Sequence, residues 1–150
     1  LNAVAGSPTA ASTGSVVTMI EADDTLGRVV VGADEEVESF DRATLASLGR
    51  RTLAANVSGL AFDTARNRLL VGMQDGYVVA LRMEDLGEVS PRVQRAATAI
   101  VDLTYDRTRD RVYAVAGSTL LVLDGSTLQH VSGSPVSLPT ALAGVEFIVD

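Results

Sequence analysis

The chain contains no cysteine and no tryptophan, and it has a single histidine, His130. Without cysteine there are no disulfides, no thiolate zinc sites and no cysteine nucleophiles. One histidine excludes a multi-histidine metal centre within these residues. No apolar run approaches the roughly 18–20 residues of a membrane-spanning helix. The start shows no basic-then-apolar signal region and no initiator Met, so the chain opens on Leu1 as though cut from something longer. Positive charge is also scarce: 12 basic against 19 acidic residues give a net charge of −7. That balance argues against duplex nucleic acid, whose phosphates demand a basic face, and against docking on anionic lipid. The missing motifs are equally informative. There is no G-x-S-x-G elbow and no G-x-G-x-x-G or G-K-[ST] phosphate loop, and nothing in the chain looks catalytic.

What is present is repetition. Three turn acids, Asp23, Asp63 and Asp106, are each followed five positions on by an arginine, Arg28, Arg68 and Arg111. An apolar run follows each arginine: VVVG, LLVG and VYAV. Later in each unit a leucine opens another segment, at Leu45, Leu86 and Leu128, with Leu1 in the same phase, so the period is 41–44 residues. The tail continues the pattern, because VDLTYD (101–106) matches VEFIVD (145–150), which makes Asp150 a fourth turn acid. AGSP (5–8) is repeated as SGSP (132–135).

Each unit reads as four short strands. In the middle unit these are SGLAF (58–62), RLLVG (68–72), YVVALR (77–82) and a fourth near LGEVSPRVQ (86–94). The opening acid of the first hairpin can bond the backbone ahead of it. The fifth turn position holds Gly27, Asn67 or Asp110, types that tolerate positive φ. Continuous apolar second strands imply burial on both faces between stacked sheets, and the more polar fourth strands suit an outer edge. The nearest rival for a helix is ATLASLGRR (43–51), weakened by Gly49. Four strands recurring at this period describe the blades of a β-propeller.

The expected fold is therefore all-β. It comprises three four-stranded antiparallel blades, at 15–55, 57–97 and 99–138, with an outer strand at 1–10 and the start of a further blade at 142–150. Three blades and two loose strands do not close a ring, so the expectation is a piece of a longer propeller of about six to eight blades. Self-assembly through a nonstandard closure is the alternative.

Several residue groups are candidates for chemistry. Asp102 and Glu146 occupy equivalent positions in adjacent first strands, where Met19 and Gly59 stand in the other units. First strands line a propeller's channel, and two carboxylates there would hold a cation or act as acid and base. Against this stands ordinary water-filled channel lining. The arginines of the repeated turns would make a cationic ring, but pairing with nearby acids or a neighbouring blade is favoured, so Asp23, Arg28, Asp63, Arg68, Asp106 and Arg111 are read as structural. ADEEVE (33–38) offers carboxylates for calcium, yet it is not repeated, and a solvated acidic loop is favoured. His130 beside an outer strand reads as a surface residue. NVS (56–58) fits a glycosylation acceptor but begins an inner strand. No metal and no cofactor is assigned.

DRVYAV (110–115) followed by LLVLDGSTL (120–128), with the same ending in FDRATL (40–45) and a junction in GSPVSLPTALAGVEF (133–147), resembles the YVTN-type and related lactonase-like bacterial propellers. The middle unit departs from that pattern with LRMEDL (81–86). WD-repeat proteins match less well, because their Trp-Asp dipeptide is impossible here. The resemblance implies a bacterial extracytoplasmic setting, in the periplasm or at the cell surface. It also implies one of two functions. One is a binding or scaffold module presenting loops and a channel mouth to a protein, peptide or glycan, completed by the remaining blades of the propeller. The other is a lactonase-like hydrolase with a carboxylate or metal site in the channel.

Overall fold

The computed structural model of the chain describes residues 17–89 and 91–145. Within them lie three four-stranded antiparallel sheets, each a simple meander. The first comprises β1 (Met19–Asp23), β2 (Arg28–Ala33), β3 (Glu36–Asp41) and β4 (Ser47–Thr52). The second comprises β5 (Val57–Asp63), β6 (Arg68–Met73), β7 (Tyr77–Arg82) and β8 (Val93–Gln94). The third comprises β9 (Asp102–Asp106), β10 (Arg111–Ala116), β11 (Thr119–Asp124) and β12 (Val136–Ser137). No α-helix occurs among the described residues; the one helical element is a 3-10 turn at Thr64–Arg66. Residues 43–51, the nearest rival for a helix, form a turn and most of β4. The sheets are three consecutive propeller blades, and the first strands β1, β5 and β9 pack side by side. The expected outer strand at 1–10, the AGSP segment, Glu146 and the turn acid Asp150 lie outside the described residues, and 142–145 carry no strand.

The continuous apolar second strands explain the stacking. Every residue of β6 is buried. Leu69, Val71 and Met73 join Val30 and Val37 of the first blade in one apolar cluster, while Leu70 joins Val112 and Ala114 of the third in another. Side chains alternate across a strand, so β6 supplies both interfaces at once. Burying a leucine such as Leu69 contributes about 2–3 kcal/mol. In the flanking blades the outward residues Val29 and Tyr113 stay half-buried.

Glycine sets how closely the blades approach. A Cβ on Gly59 would lie 2.8 Å from the backbone N of Leu103 and 3.1 Å from the carbonyl carbon of Asp102. The inner strands of blades two and three therefore meet backbone to backbone. Gly72 makes similar room for Ile100 and Leu103.

The outer strands differ for a local reason. Strand β4 runs six residues, with a register shift at Ser39/Phe40. The outer strands of the other blades shrink to β8 and β12, each supplemented by an isolated bridge, Leu81 to Glu88 and Leu123 to His130. Each interruption contains a proline, Pro91 or Pro135, which has no N–H to donate to a ladder.

Gly59→Ala is expected to cost about 1–3 kcal/mol, because the colliding atoms are backbone and cannot step aside. Gly49→Ala, where nothing lies within 4 Å of the added carbon, is the control and should be near neutral. Urea unfolding of both variants checks the pair; equal effects would contradict the close approach.

Candidate functional site

The three turn acids do the same local work. The Oδ1 of Asp23, Asp63 and Asp106 accepts the N–H of Leu26 at 2.8 Å, Arg66 at 3.3 Å and Arg109 at 3.0 Å. At the residue immediately before each second strand, the chain must turn through the left-handed region. The residues there are Gly27, Asn67 and Asp110, with φ of 61°, 50° and 53°. Sequence reasoning assigned positive φ to these positions from side-chain chemistry alone.

The arginines find acids or carbonyls. Arg68 donates from Nε to Asp63 Oδ2 at 2.7 Å, with both residues buried, and from Nη2 to the carbonyl of Gly125 in the next blade. Arg111 stands opposite Asp124 and donates to it at 3.3 Å. Arg28 stands opposite Asp41 in the register. Asp41 is held below the usual carboxylate range, first by the hydroxyl and N–H of Thr44 and further by the charge of Arg28.

A second arginine completes a strap between blades two and three. Arg66 meets Asp110 with both Nη atoms, at 2.9 and 2.6 Å, and also reaches Asp63 and the hydroxyl of Tyr105. Tyr105 donates in turn to Asp110 at 2.9 Å. Burial, reinforced by that bond, pushes the Tyr105 hydroxyl up to about 12. The Arg66 fork holds Asp110 below its ordinary value.

At the same edge, the third and fourth strands are joined by turns built on Asp41 and Asp124. Asp124 Oδ1 accepts the N–H and hydroxyl of both Ser126 and Thr127, and Asp41 does the same with Thr44. The middle blade has Arg82 where the others have this acid. Arg82 donates to both oxygens of Asp85, which caps Gly87 N–H instead. All three turns end on the repeated leucine in a left-handed conformation, φ 58°, 55° and 56° at Leu45, Leu86 and Leu128. Sequence reasoning missed this, because leucine is not a residue expected at positive φ. The conformation costs roughly 1–2 kcal/mol. Burial of the Leu86 and Leu128 side chains in the inter-blade clusters offsets it.

Of the two channel candidates, only Asp102 lies within the described residues. Asp102 accepts the N–H of Leu103 at 2.9 Å and of Val145 at 3.1 Å, so both its oxygens hold backbone. Its suggested partner Glu146 lies outside the described residues. In ADEEVE, Glu36 accepts from Thr52 and lies 3.8 Å from Arg50, and Asp34 and Glu35 are exposed. No grouping of three metal-ligating side chains occurs among the described residues. His130 is exposed, with Nδ1 3.0 Å from the hydroxyl of Ser134 and Nε2 3.0 Å from the carbonyl oxygen of Arg95. Ser58 of the NVS segment is buried and donates to Gly72 O.

At the opposite edge, the hairpin turns between second and third strands differ from blade to blade. They carry exposed Asp34 and Glu35 in the first and Gln74 in the second, where the guanidinium of Arg92 lies 4.9 Å from the ring centre of Tyr77. The third is a Gly117–Ser118 turn. Beside the last two opens a cavity of about 240 Å³ lined by Arg95, Thr98, Thr119, Ala116, Leu121 and Pro135. Arg95 occurs once, out of phase with the repeat, so a reading keyed to recurring residues passes over it.

The hydrogen bonds from Ser126, and then from Thr127, hold the Asp124 carboxyl down at about 2, against 3.8 ordinarily. A depressed carboxylate contributes stability that is fully present above about pH 4 and lost as pH falls through about 2. Asp124→Asn should therefore be less stable than the parent at pH 7, with the difference shrinking as pH falls from about 4 and vanishing only below about pH 2. Urea midpoints across that range check it, and a pH-independent difference would refute the assignment.

No family model matches the chain, and no curated protein matches it in sequence. Solved structures match it in fold. The computationally designed Ika8 protein aligns at TM-score 0.72 and 21% identity, over 89% of this chain and 40% of its own. U3-55K aligns at 0.79 and 11% identity, over 89% and 43%. The WD40 repeats of RRP9 align at 0.75 and 12% identity, over 89% and 42%. The chain thus spans about two fifths of each, and it shares their propeller fold.

Proposed function

We propose that the chain is part of a longer propeller of the YVTN-like kind, serving as a binding module for a protein partner. The carrying observation is the contrast between the two edges of the blades. One edge repeats the same acid-anchored, left-handed turns, as a frame requires. The other holds three hairpin turns of unlike chemistry on the same backbone frame: paired acids, an amide beside an arginine–tyrosine stack, and a glycine–serine turn. Loops on a rigid scaffold vary where they meet partners, and the frame pins them without ordering cost at the moment of binding. The engagement of both Asp102 oxygens with backbone N–H groups supports this reading over the lactonase-like one, which asks that carboxylate to face a substrate or metal.

Photo-crosslinking amino acids placed at Glu35, Gln74 and Ser118 in the producing cells should yield one common adduct. The same groups at Ala43 and Arg107, on the repeated edge, should yield at least tenfold less. Adducts dominated by the repeated edge would overturn the proposal. So would sugar-lactone hydrolysis by the protein that is abolished by Asp102→Asn.

A further inference from the structure

The two blade interfaces use the same backbone positions but fill them differently. Where blade two faces blade one, Met73 closes β6 and Tyr77 opens β7. Met73 is buried at 1% exposure. Tyr77 packs against the same apolar cluster, as do Leu53 and Ala55 of the segment that leads out of β4. In blade three the last residue of β10 is Ala116, and its ladder partner, the first residue of β11, is Thr119. A thioether arm and a phenol ring are thus replaced by two small side chains on the same frame. Between Ala116, Thr119 and Leu121 on one side and residues 95–98 on the other lies the cavity of about 240 Å³. Ala116 and Leu121 are its buried floor, and exposed Ala97, Thr98 and Pro135 stand at its mouth. Interiors are close-packed, and a void forfeits contacts that a filling group would restore. At the first interface the chain supplies that group; at the second, none of the described residues does.

We infer that this cavity receives one aromatic side chain of the protein partner, a phenylalanine or tyrosine entering past Thr98 and Pro135. The chemistry of the occupant follows from the first interface, where a tyrosine and a methionine of this chain fill the equivalent place. Ala116, Leu121 and Pro135 offer the ring apolar walls. A volume of about 240 Å³ lies below the roughly 300–1,000 Å³ of pockets that hold whole small molecules, and it suits a single side chain. The mouth opens beside the Gly117–Ser118 turn, so the socket is continuous with the edge proposed to meet the partner. An aromatic anchor seated in a pocket is a common source of interface affinity. Only the source of the ring rests on the binding-module reading; the cavity's preference for a ring does not.

The test is NMR titration of the methyl-labelled protein with N-acetylphenylalaninamide, N-acetyltyrosinamide, N-acetylleucinamide and N-acetylalaninamide. Saturable shifts of the Ala116 and Leu121 methyl resonances are expected with either aromatic amide, and at least tenfold weaker binding with the other two. Ala116→Met combined with Thr119→Tyr copies the filling of blade two into blade three. This variant should melt no lower than the parent and bind the aromatic amides at least tenfold more weakly. Should it melt lower, Ala116→Met alone decides by the same loss of binding. In the producing cells, a crosslinker at Ser118 should give at least tenfold less adduct in the filled variant than in the parent. Ring binding with no adduct from the parent would overturn the partner as its source, and the module reading with it. An adduct undiminished by filling would overturn the socket alone. So would the absence of saturable shifts, equal binding of the leucine amide, or undiminished binding in the folded variant.

Discussion

The Asp63 carboxylate, with no exposure to solvent, is where the second and third blades are tied together. It closes its own hairpin through Arg66 N–H and accepts from the side chains of both Arg66 and Arg68. Those arginines extend to Asp110, Tyr105 and Gly125 O in the third blade. One buried acid thus fixes a turn, a strand end and the placement of the next sheet. A buried ion pair gains little net stability over well-packed apolar residues. The first interface illustrates the alternative, since Leu26 and Phe62 stand at the positions of Arg66 and Tyr105 and pack against the apolar cluster there. The polar strap therefore contributes geometry more than energy. Every one of the 12 basic residues is arginine. A guanidinium fork can bridge two blades at once where a lysine's point charge cannot.

From this tie the rest follows in order. With the first-strand hairpins locked, β5 lies against β9 at a distance that only Gly59 permits. With the inner strands that close, β6 is covered on both faces and its apolar residues divide between two clusters. The leucines in left-handed turns belong to the same logic. A strained backbone persists where the surroundings over-determine it, and Leu86 and Leu128 are held by the interfaces their side chains fill.

Much of this was legible in the sequence, and the boundary has a physical cause. Turn acids, positive-φ positions and doubly buried strands are local properties, visible in Asp63, Asn67 and LLVG without knowing what lies beyond them. The departure at LRMEDL was visible too; its repair by Arg82 and Asp85 within four residues needed only local contact. What could not be read depends on pairing between distant residues. Arg66 and Asp110 are separated by 44 positions, and nothing local to either names the other. Arg95 is the sharpest case: its burial comes from the neighbouring blade, through Gln129 and the walls around Leu121 and Pro135. Asp102 shows the converse: its repeat position was legible, but its side chain accepts the N–H of Val145, a contact that no repeat phase predicts.

Repetition itself locates function by subtraction. A residue recurring in every blade answers a demand made in every blade, and that demand is structural: close the hairpin, pass through the left-handed region, meet the neighbour. A residue that occurs once is free of that demand. Where it is also buried and incompletely bonded, the fold gains nothing from it that apolar packing would not supply. Asp34 and Glu35, the Arg92–Tyr77 stack and Arg95 all lie on the edge where the repeat is broken.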